Sequence, residues 1–198
     1  MCQLIEAIKV ENGKFCNIDY HINRMKLSSR RLYHRDCDFN LTSILIPDKY
    51  IEGLVKLRIV YNLSIISHTF ENYSIKKIES LKIIRDDWIN YDLKYEDRSE
   101  IINLYSKRAN CDDIIIIKNG LVTDSSYSNL IFIKGNDYFT PDKPLLMGTK
   151  RQKLIDEGKI KTLSILEKDI KKFDFVLLIN SMMDLDNCPI ILTEQIYN

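Results

Sequence analysis

The sequence of 198 residues contains few of the features that mark specialised classes of protein. It has six glycines, four prolines and one tryptophan, and its apolar runs are too short for a membrane-spanning helix. The N-terminal segment MCQLIEAIKV lacks the basic, apolar and small-residue order of a secretory signal. These absences predict a cytoplasmic protein that does not enter a membrane.

An excess of charge of one sign is also missing. The chain has 29 basic and 28 acidic residues, for a net charge of +1, so the totals predict no nucleic-acid partner and favour a small-molecule substrate. The five cysteines lie far apart, with no histidine at ligand spacing, which argues against a metal site and against a disulfide scaffold. The sequence contains no Ser-His-Asp spacing, Walker loop or dinucleotide fingerprint.

Two Asn-Gly pairs predict β-hairpins. Asn12-Gly13 and Asn119-Gly120 each lie between extended apolar runs, and a type I′ turn needs positive φ at both central positions. Further runs rich in β-branched residues, such as LVKLRIVYNL and SIISHTFENY, predict an antiparallel pair. The pattern as a whole favours an α+β fold.

Helical spacing is clearest in the first quarter of the chain. Apolar residues between Ile18 and Tyr33 predict an amphipathic helix, and the segment YEDRSEIINLYSKRA predicts another with Ile101, Ile102 and Tyr105 facing inward. The segment ENYSIKKIES is the best candidate for a domain boundary. It divides the chain into a small N-terminal α/β domain, residues 1–77, and a larger C-terminal domain, residues 78–198.

The stretch GLVTDSSYSNLIF places a carboxylate and several small polar groups between two apolar runs. By position alone, Asp124 is either a solvated turn residue or cap, which is the common case, or the charged partner of something buried. The serines that follow it would allow a flat ligand to approach the backbone.

Three further positions could carry chemistry. Gly148-Thr149 in PLLMGTKRQKL precedes a helical pattern, where backbone amides can hold a phosphate, although a plain threonine cap is the competing interpretation. Arg24 could bind phosphate in a forked geometry or could simply be solvated. Lys94 in INYDLKYEDR is not distinguished by composition, and the three histidines are more typical of surface or structural residues than of ligands.

These segments, in this order, resemble the class IV aminotransferase family, the pyridoxal-phosphate enzymes of fold type IV. They are IEAIKVENGKF, YHINRM, the lysine of KYEDR, GLVTDSSYSNLIF, TPDKPLLMGTKR and LLINSMMDL. The resemblance covers nearly all of the chain. It implies a two-domain D-amino-acid aminotransferase-like fold with mixed and antiparallel sheets and flanking helices, pyridoxal 5′-phosphate held by the C-terminal domain, and a homodimer.

The resemblance also implies roles for individual residues. Lys94 would be the catalytic lysine that forms the Schiff base and moves the proton. Asp124 stands where the family commonly has a glutamate beneath the pyridine nitrogen, and it is one methylene shorter. The phosphate would be bound by residues on three segments: Arg24, Gly148, Thr149, Lys150 and Ser181. Arg58 would bind a substrate carboxylate.

Within the family, the compact chain and the segment LINSMM resemble 4-amino-4-deoxychorismate lyases more than branched-chain enzymes. The resemblance therefore implies a lyase that forms 4-aminobenzoate and pyruvate. An aminotransferase acting on branched-chain or D-amino acids would use the same residues, and a non-catalytic relative that binds a phosphate compound is a third interpretation. Full-length relatives have a further N-terminal strand, whereas this sequence starts directly at LIEAI, so we expect part of the substrate wall to be missing.

Overall fold

The chain forms two compact units in a computed structural model that describes residues 2–198. The first unit extends to Ile75 and includes Leu93–Asp97, and the second comprises Lys76–Asp92 and Arg98–Asn198. The boundary predicted from the sequence places all of residues 78–198 in the second domain. The structure groups 93–97 with the first unit because the amides of Ile5 and Glu96 form backbone hydrogen bonds, at 2.8 and 2.9 Å, that join this segment to the N-terminal strand.

The first unit consists of a four-stranded antiparallel sheet and a helix. Its elements are β1 (Leu4–Glu11), β2 (Lys14–Phe15), α1 (Ile18–Tyr33), β3 (Leu54–Tyr61) and β4 (Ile65–Asn72), with the strands in the order β2-β1-β3-β4. The predicted first hairpin and the predicted helix are confirmed. Asn12 and Gly13 have φ values of 48° and 70°, as a type I′ turn requires.

Side-chain alternation gives the sheet of the first unit two different faces. Leu57 and Ile59 of β3 share a core with Leu4 and Ile8 of β1 and with Met25 of α1. Because successive strand residues point to opposite faces, the β3 residue between Leu57 and Ile59 lies on the face away from α1. That residue is Arg58.

The second unit contains two sheets. Its elements are β5 (Leu81–Arg85), α2 (Ser99–Ser106), β6 (Asp113–Lys118), β7 (Leu121–Val122), β8 (Asn129–Lys134), β9 (Asp137–Pro141), α3 (Thr149–Asp156), β10 (Lys161–Leu163), β11 (Phe175–Ile179), β12 (Ile190–Leu192) and β13 (Ile196–Tyr197). The strand orders are β10-β9-β8-β11-β12 and β13-β5-β6-β7, and both sheets mix parallel and antiparallel pairs. The predicted α+β class with mixed sheets is confirmed.

The isoleucine run of β6 forms the centre of the second unit. Residues Ile114 to Ile117 are fully buried, and the predicted hairpin that follows them is confirmed by the pairing of β6 with β7. The predicted inward face of α2 is partly wrong. Ile101 and Leu104 are buried there, whereas Ile102 is 61% exposed, because the buried pair is spaced three residues apart and Ile102 lies outside that stripe. Within residues 2–198, no helix has the length and apolar character needed to cross a bilayer.

Candidate active site

Asp124 lies at the centre of a buried polar cluster in the second unit. Asp124 follows β7 and precedes β8 in the chain, is only 5% exposed, and forms an isolated bridge with Asn129. One carboxylate oxygen accepts a hydrogen bond from the Asn129 amide at 2.7 Å, and the other accepts one from the backbone N–H of Leu146 at 2.9 Å. Asp124 is therefore an oriented, buried acid, which rules out the solvated-turn interpretation.

The environment of Asp124 changes its acidity. Burial raises the pKa of Asp124 to about 6, although the hydrogen bonds from Leu146 and Asn129 and the charge of Arg151 oppose the shift. The nearby guanidinium is engaged elsewhere, since Arg151 donates to the Thr140 hydroxyl and the Pro141 carbonyl. The carboxylate is thus held by neutral donors, and a cationic donor brought next to it would stabilise its ionised form.

Gly148 is required by the close approach of Asn129 to the start of α3. Its backbone has ordinary extended angles, with φ of −73° and ψ of 140°, so positive φ is not the reason for glycine. A Cβ at this position would overlap the Asn129 side-chain oxygen. The same asparagine amide donates to the Leu146 carbonyl at 2.9 Å, so Asn129 links Asp124 to the loop that leads into α3.

The first turn of α3 is buried and basic. Thr149, Lys150 and Arg151 are 4%, 6% and 3% exposed, and the turn contains no acidic residue. The first amides of a helix have no acceptor within the helix and carry partial positive charge, which suits an anion. The Lys150 amine itself forms an ion pair with Asp184.

A serine-rich turn connects the Asp124 cluster to the segment after β11. The N–H of Ser125 donates to the carbonyl of Ser128 at 2.9 Å and closes the turn. Asn180 lies 3.4 Å from the Ser128 hydroxyl, and its own side-chain oxygen accepts from the N–H of Met182. Ser181, the residue next to Asn180, is therefore carried on a loop tied to this turn.

A second buried polar cluster lies in the first unit, around Arg24. The guanidinium of Arg24 grips the carboxylate of Glu6 through two nitrogens, at 2.8 and 2.5 Å, and His21 Nδ1 lies 2.7 Å from the same carboxylate. Glu6 and His21 are fully buried. His21 is thus a satisfied structural residue, as the sequence predicted, while Arg24 is not the solvated helical arginine of the alternative interpretation.

Charge pairing sets the acidity of this second cluster. Burial opposes ionisation of Glu6, but the charge of Arg24 and the hydrogen bonds from His21 and Arg24 outweigh it and lower the pKa of Glu6 to about 2. Burial lowers the pKa of His21, the carboxylate opposes this, and the charges of Arg24 and Lys94 act in the same direction as burial. The charge of Lys94 therefore acts on His21 of the Arg24 cluster.

Lys94 lies in the short segment that pairs with β1. Its carbonyl accepts a hydrogen bond from Ile5, its side chain is half-buried, and its neighbours Leu93 and Tyr95 both pack in the core beside α1. By alternation, Lys94 lies on the other side of this segment. Arg58 also lies on the face away from α1, and its guanidinium contacts Glu96 at 3.0 Å.

Within each unit, the structure brings the predicted residues together. Asp124, Gly148 and Thr149 are linked through Asn129 in the second unit, and Lys94 shares the first unit with Arg24 and Arg58. Sequence reasoning missed the supporting partners Glu6, Asn129 and Glu96. The position of Asn129, at the end of the polar stretch and the start of an apolar strand, could have identified it as part of the site. The sequence around Glu6 and Glu96 contains no comparable signal.

Comparisons with known proteins agree with this arrangement. The profile of the amino-transferase class IV family matches residues 3–186. An uncharacterised protein of Haemophilus influenzae is 42% identical over 92% of this chain and 98% of its own. A crystal structure from Haemophilus somnus, of a protein with a proposed 4-amino-4-deoxychorismate lyase activity, is 34% identical with a TM-score of 0.80, covering 93% of this chain and 98% of that one.

A more distant structure shares the fold. A hypothetical aminotransferase from Mycobacterium tuberculosis, solved in a form with pyridoxal phosphate bound, has a TM-score of 0.71 at 15% identity and covers 96% of this chain and 80% of its own. At this identity the likeness concerns the fold alone.

The raised pKa of Asp124 predicts that the free energy of unfolding of the protein without ligand decreases as Asp124 ionises. Because the folded-state pKa of about 6 lies above the ordinary value of 3.8, folding is penalised increasingly as pH rises from about 4 through 6. We expect Asp124→Asn to gain stability relative to the wild type by about 1 kcal/mol between pH 5 and pH 8, measured by urea denaturation. The matched control is Asp48→Asn, which removes an exposed carboxylate of the first unit and should not reproduce this gain. A constant difference for Asp124→Asn would contradict the buried-acid description.

Proposed function

The chain belongs to the class IV aminotransferase family of pyridoxal-phosphate-dependent enzymes, and on that basis we propose that it is a lyase that converts 4-amino-4-deoxychorismate to 4-aminobenzoate and pyruvate. The lyase assignment is supported by the 34% identity to the Haemophilus somnus protein with that proposed activity. The product, 4-aminobenzoate, is a precursor of folate. A cytoplasmic homodimer stays a prediction from the sequence.

The single observation that carries the cofactor assignment is the environment of Asp124. A protonated pyridine nitrogen is a cationic donor, and a buried carboxylate with a raised pKa and two neutral partners fits it. The buried, basic first turn of α3, whose leading amides have no acceptor within the helix, fits a phosphate group. Lys94 supplies the amine that the cofactor requires.

When bound, pyridoxal phosphate supplies an electron sink for the carbanion formed next to the substrate amine. Asp124 would stabilise the protonated form of the ring nitrogen, and each unit of pKa difference is worth about 1.4 kcal/mol. Asn129 and the Leu146 amide fix the orientation of that carboxylate. In the second unit, the backbone amides at the start of α3 would hold the phosphate. A contact of Arg24 with the phosphate stays a prediction from the family resemblance, since two nitrogens of Arg24 bind Glu6.

Lys94 is the group that moves the proton. It takes the proton from the ring carbon that carries the substrate amine, the electron pair of that C–H bond joins the aromatic ring, and the C–O bond to the enolpyruvyl group breaks with its electrons on oxygen. The released group takes up one proton and becomes pyruvate. Aromatisation makes the step favourable, and Lys94 acts as a general base.

An aminotransferase is the alternative that a specific observation favours. Arg58 offers a guanidinium on the same unit as Lys94, and guanidinium groups bind the carboxylate of an amino acid in a forked geometry. In this case Lys94 would return the proton to the cofactor, and a branched-chain or D-amino acid would be the substrate. The non-catalytic alternative predicts that no bond to Lys94 forms.

Borohydride trapping tests the cofactor assignment. Purified protein mixed with pyridoxal phosphate and reduced should carry a pyridoxyl group on Lys94, detected by peptide mass spectrometry, because reduction fixes the bond between the lysine and the cofactor. Lys94→Ala should lose the adduct. Lys134→Ala, which removes an exposed lysine at the end of β8, should keep it. An unlabelled Lys94 would overturn the enzyme proposal.

Product analysis decides between the two reactions. Supplied with 4-amino-4-deoxychorismate, the loaded protein should release pyruvate and 4-aminobenzoate in equal amounts, and Lys94→Ala should reduce the rate at least about 100-fold through loss of the general base. Amino transfer from D-alanine or a branched-chain amino acid, without pyruvate release from the chorismate compound, would reject the lyase in favour of the alternative.

A further inference from the structure

Arg58 forms an ion pair with Glu96. The family resemblance implies that the same guanidinium binds a substrate carboxylate. Arg58 Nη2 donates to Glu96 Oε1 at 3.0 Å, and both side chains are 35% exposed. The pair is thus accessible to a solute while still partly shielded from water. Glu96 presents to Arg58 the same chemical group that a substrate would present.

The position of Glu96 connects this pair with the reacting lysine. Glu96 follows Lys94 by two residues in the segment that pairs with β1, and its amide is fixed by the hydrogen bond to the Gln3 carbonyl. Tyr95, between the two, packs in the core beside α1. Lys94 and Glu96 therefore both lie on the side of the segment away from that core, which is the side of Arg58.

We propose that Glu96 is an internal competitor for the substrate carboxylate: it holds the Arg58 guanidinium through Nη2 until a substrate carboxylate takes its place. The proposal rests on the proposed function, in which Lys94 reacts with the substrate amine near Arg58. A substrate carboxylate that binds Arg58 through both Nη atoms must break the Nη2 contact with Glu96, so part of its binding free energy is spent on the exchange.

The exchange lowers the affinity of Arg58 for carboxylate ligands. A partly exposed ion pair contributes little to moderate free energy, so Glu96 weakens the binding of every carboxylate by a similar, modest factor. Glu96 therefore changes how tightly a carboxylate binds, and a ligand without a carboxylate is not affected.

The experiment compares two probes that differ only in the carboxylate. Calorimetry with the loaded protein should show that Glu96→Gln binds 4-aminobenzoate about two- to fivefold more tightly than the wild type, while aniline, which lacks the carboxylate, binds both equally. In steady-state kinetics, KM for 4-amino-4-deoxychorismate should fall by a similar factor with kcat nearly unchanged. In the Arg58→Gln background, which removes the cation that Glu96 and the ligand compete for, the effect of Glu96→Gln should disappear.

A matched control is available on the neighbouring strand pair. Glu71 of β4 forms an ion pair with Lys56, two residues before Arg58 on the same face of β3, and Glu71→Gln should leave both affinities unchanged. Unchanged or weaker binding of 4-aminobenzoate by Glu96→Gln would overturn the inference. Failure to trap Lys94 in the wild type would instead overturn the proposed function, whichever way the Glu96 comparison falls.

Discussion

Burial of the Asp124 carboxylate between neutral donors is the constraint on which the organisation of the second unit depends. The Asn129 amide and the Leu146 N–H orient it, Gly148 makes room for that asparagine, and α3 starts at the next residue. Two hydrogen bonds do not offset the desolvation of the charge, and the pKa of Asp124 stays raised to about 6. The second unit therefore contains a buried acid whose ionised form a cationic partner would stabilise.

The first unit shows the opposite solution to the same problem. Glu6 is also fully buried, but the Arg24 guanidinium grips it through two nitrogens, and the pKa of Glu6 falls to about 2. Two buried acids in one chain are thus shifted in opposite directions, because one has a cation in contact and the other has neutral donors. A bound pyridinium would give Asp124 the kind of partner that Glu6 already has.

Local patterns predicted the elements of this fold well and the supporting contacts poorly. The Asn-Gly hairpins and the first helix follow from backbone preferences and apolar spacing, which act over a few residues. Other contacts join positions far apart in sequence. Segment 93–97 forms backbone hydrogen bonds with the N-terminal strand, and Arg24 donates hydrogen bonds to Glu6. The exposure of Ile102 also depends on distant contacts. On a short helix, apolar residues alone do not show which face will pack against the rest of the protein. The order of motifs pointed to Lys94 and Asp124, but not to the residues that hold their neighbours in place.

The role proposed for Asp124 is to pair with a protonated ring nitrogen of bound pyridoxal phosphate. The most direct test is the ¹⁵N chemical shift of pyridoxal phosphate labelled at the ring nitrogen and bound to the protein at pH 8. The wild type should give the shift of a pyridinium and Asp124→Asn the shift of a neutral pyridine, because the carboxylate stabilises the charged ring and the amide does not. A neutral ring in the wild type, or the same shift in both proteins, would contradict this role.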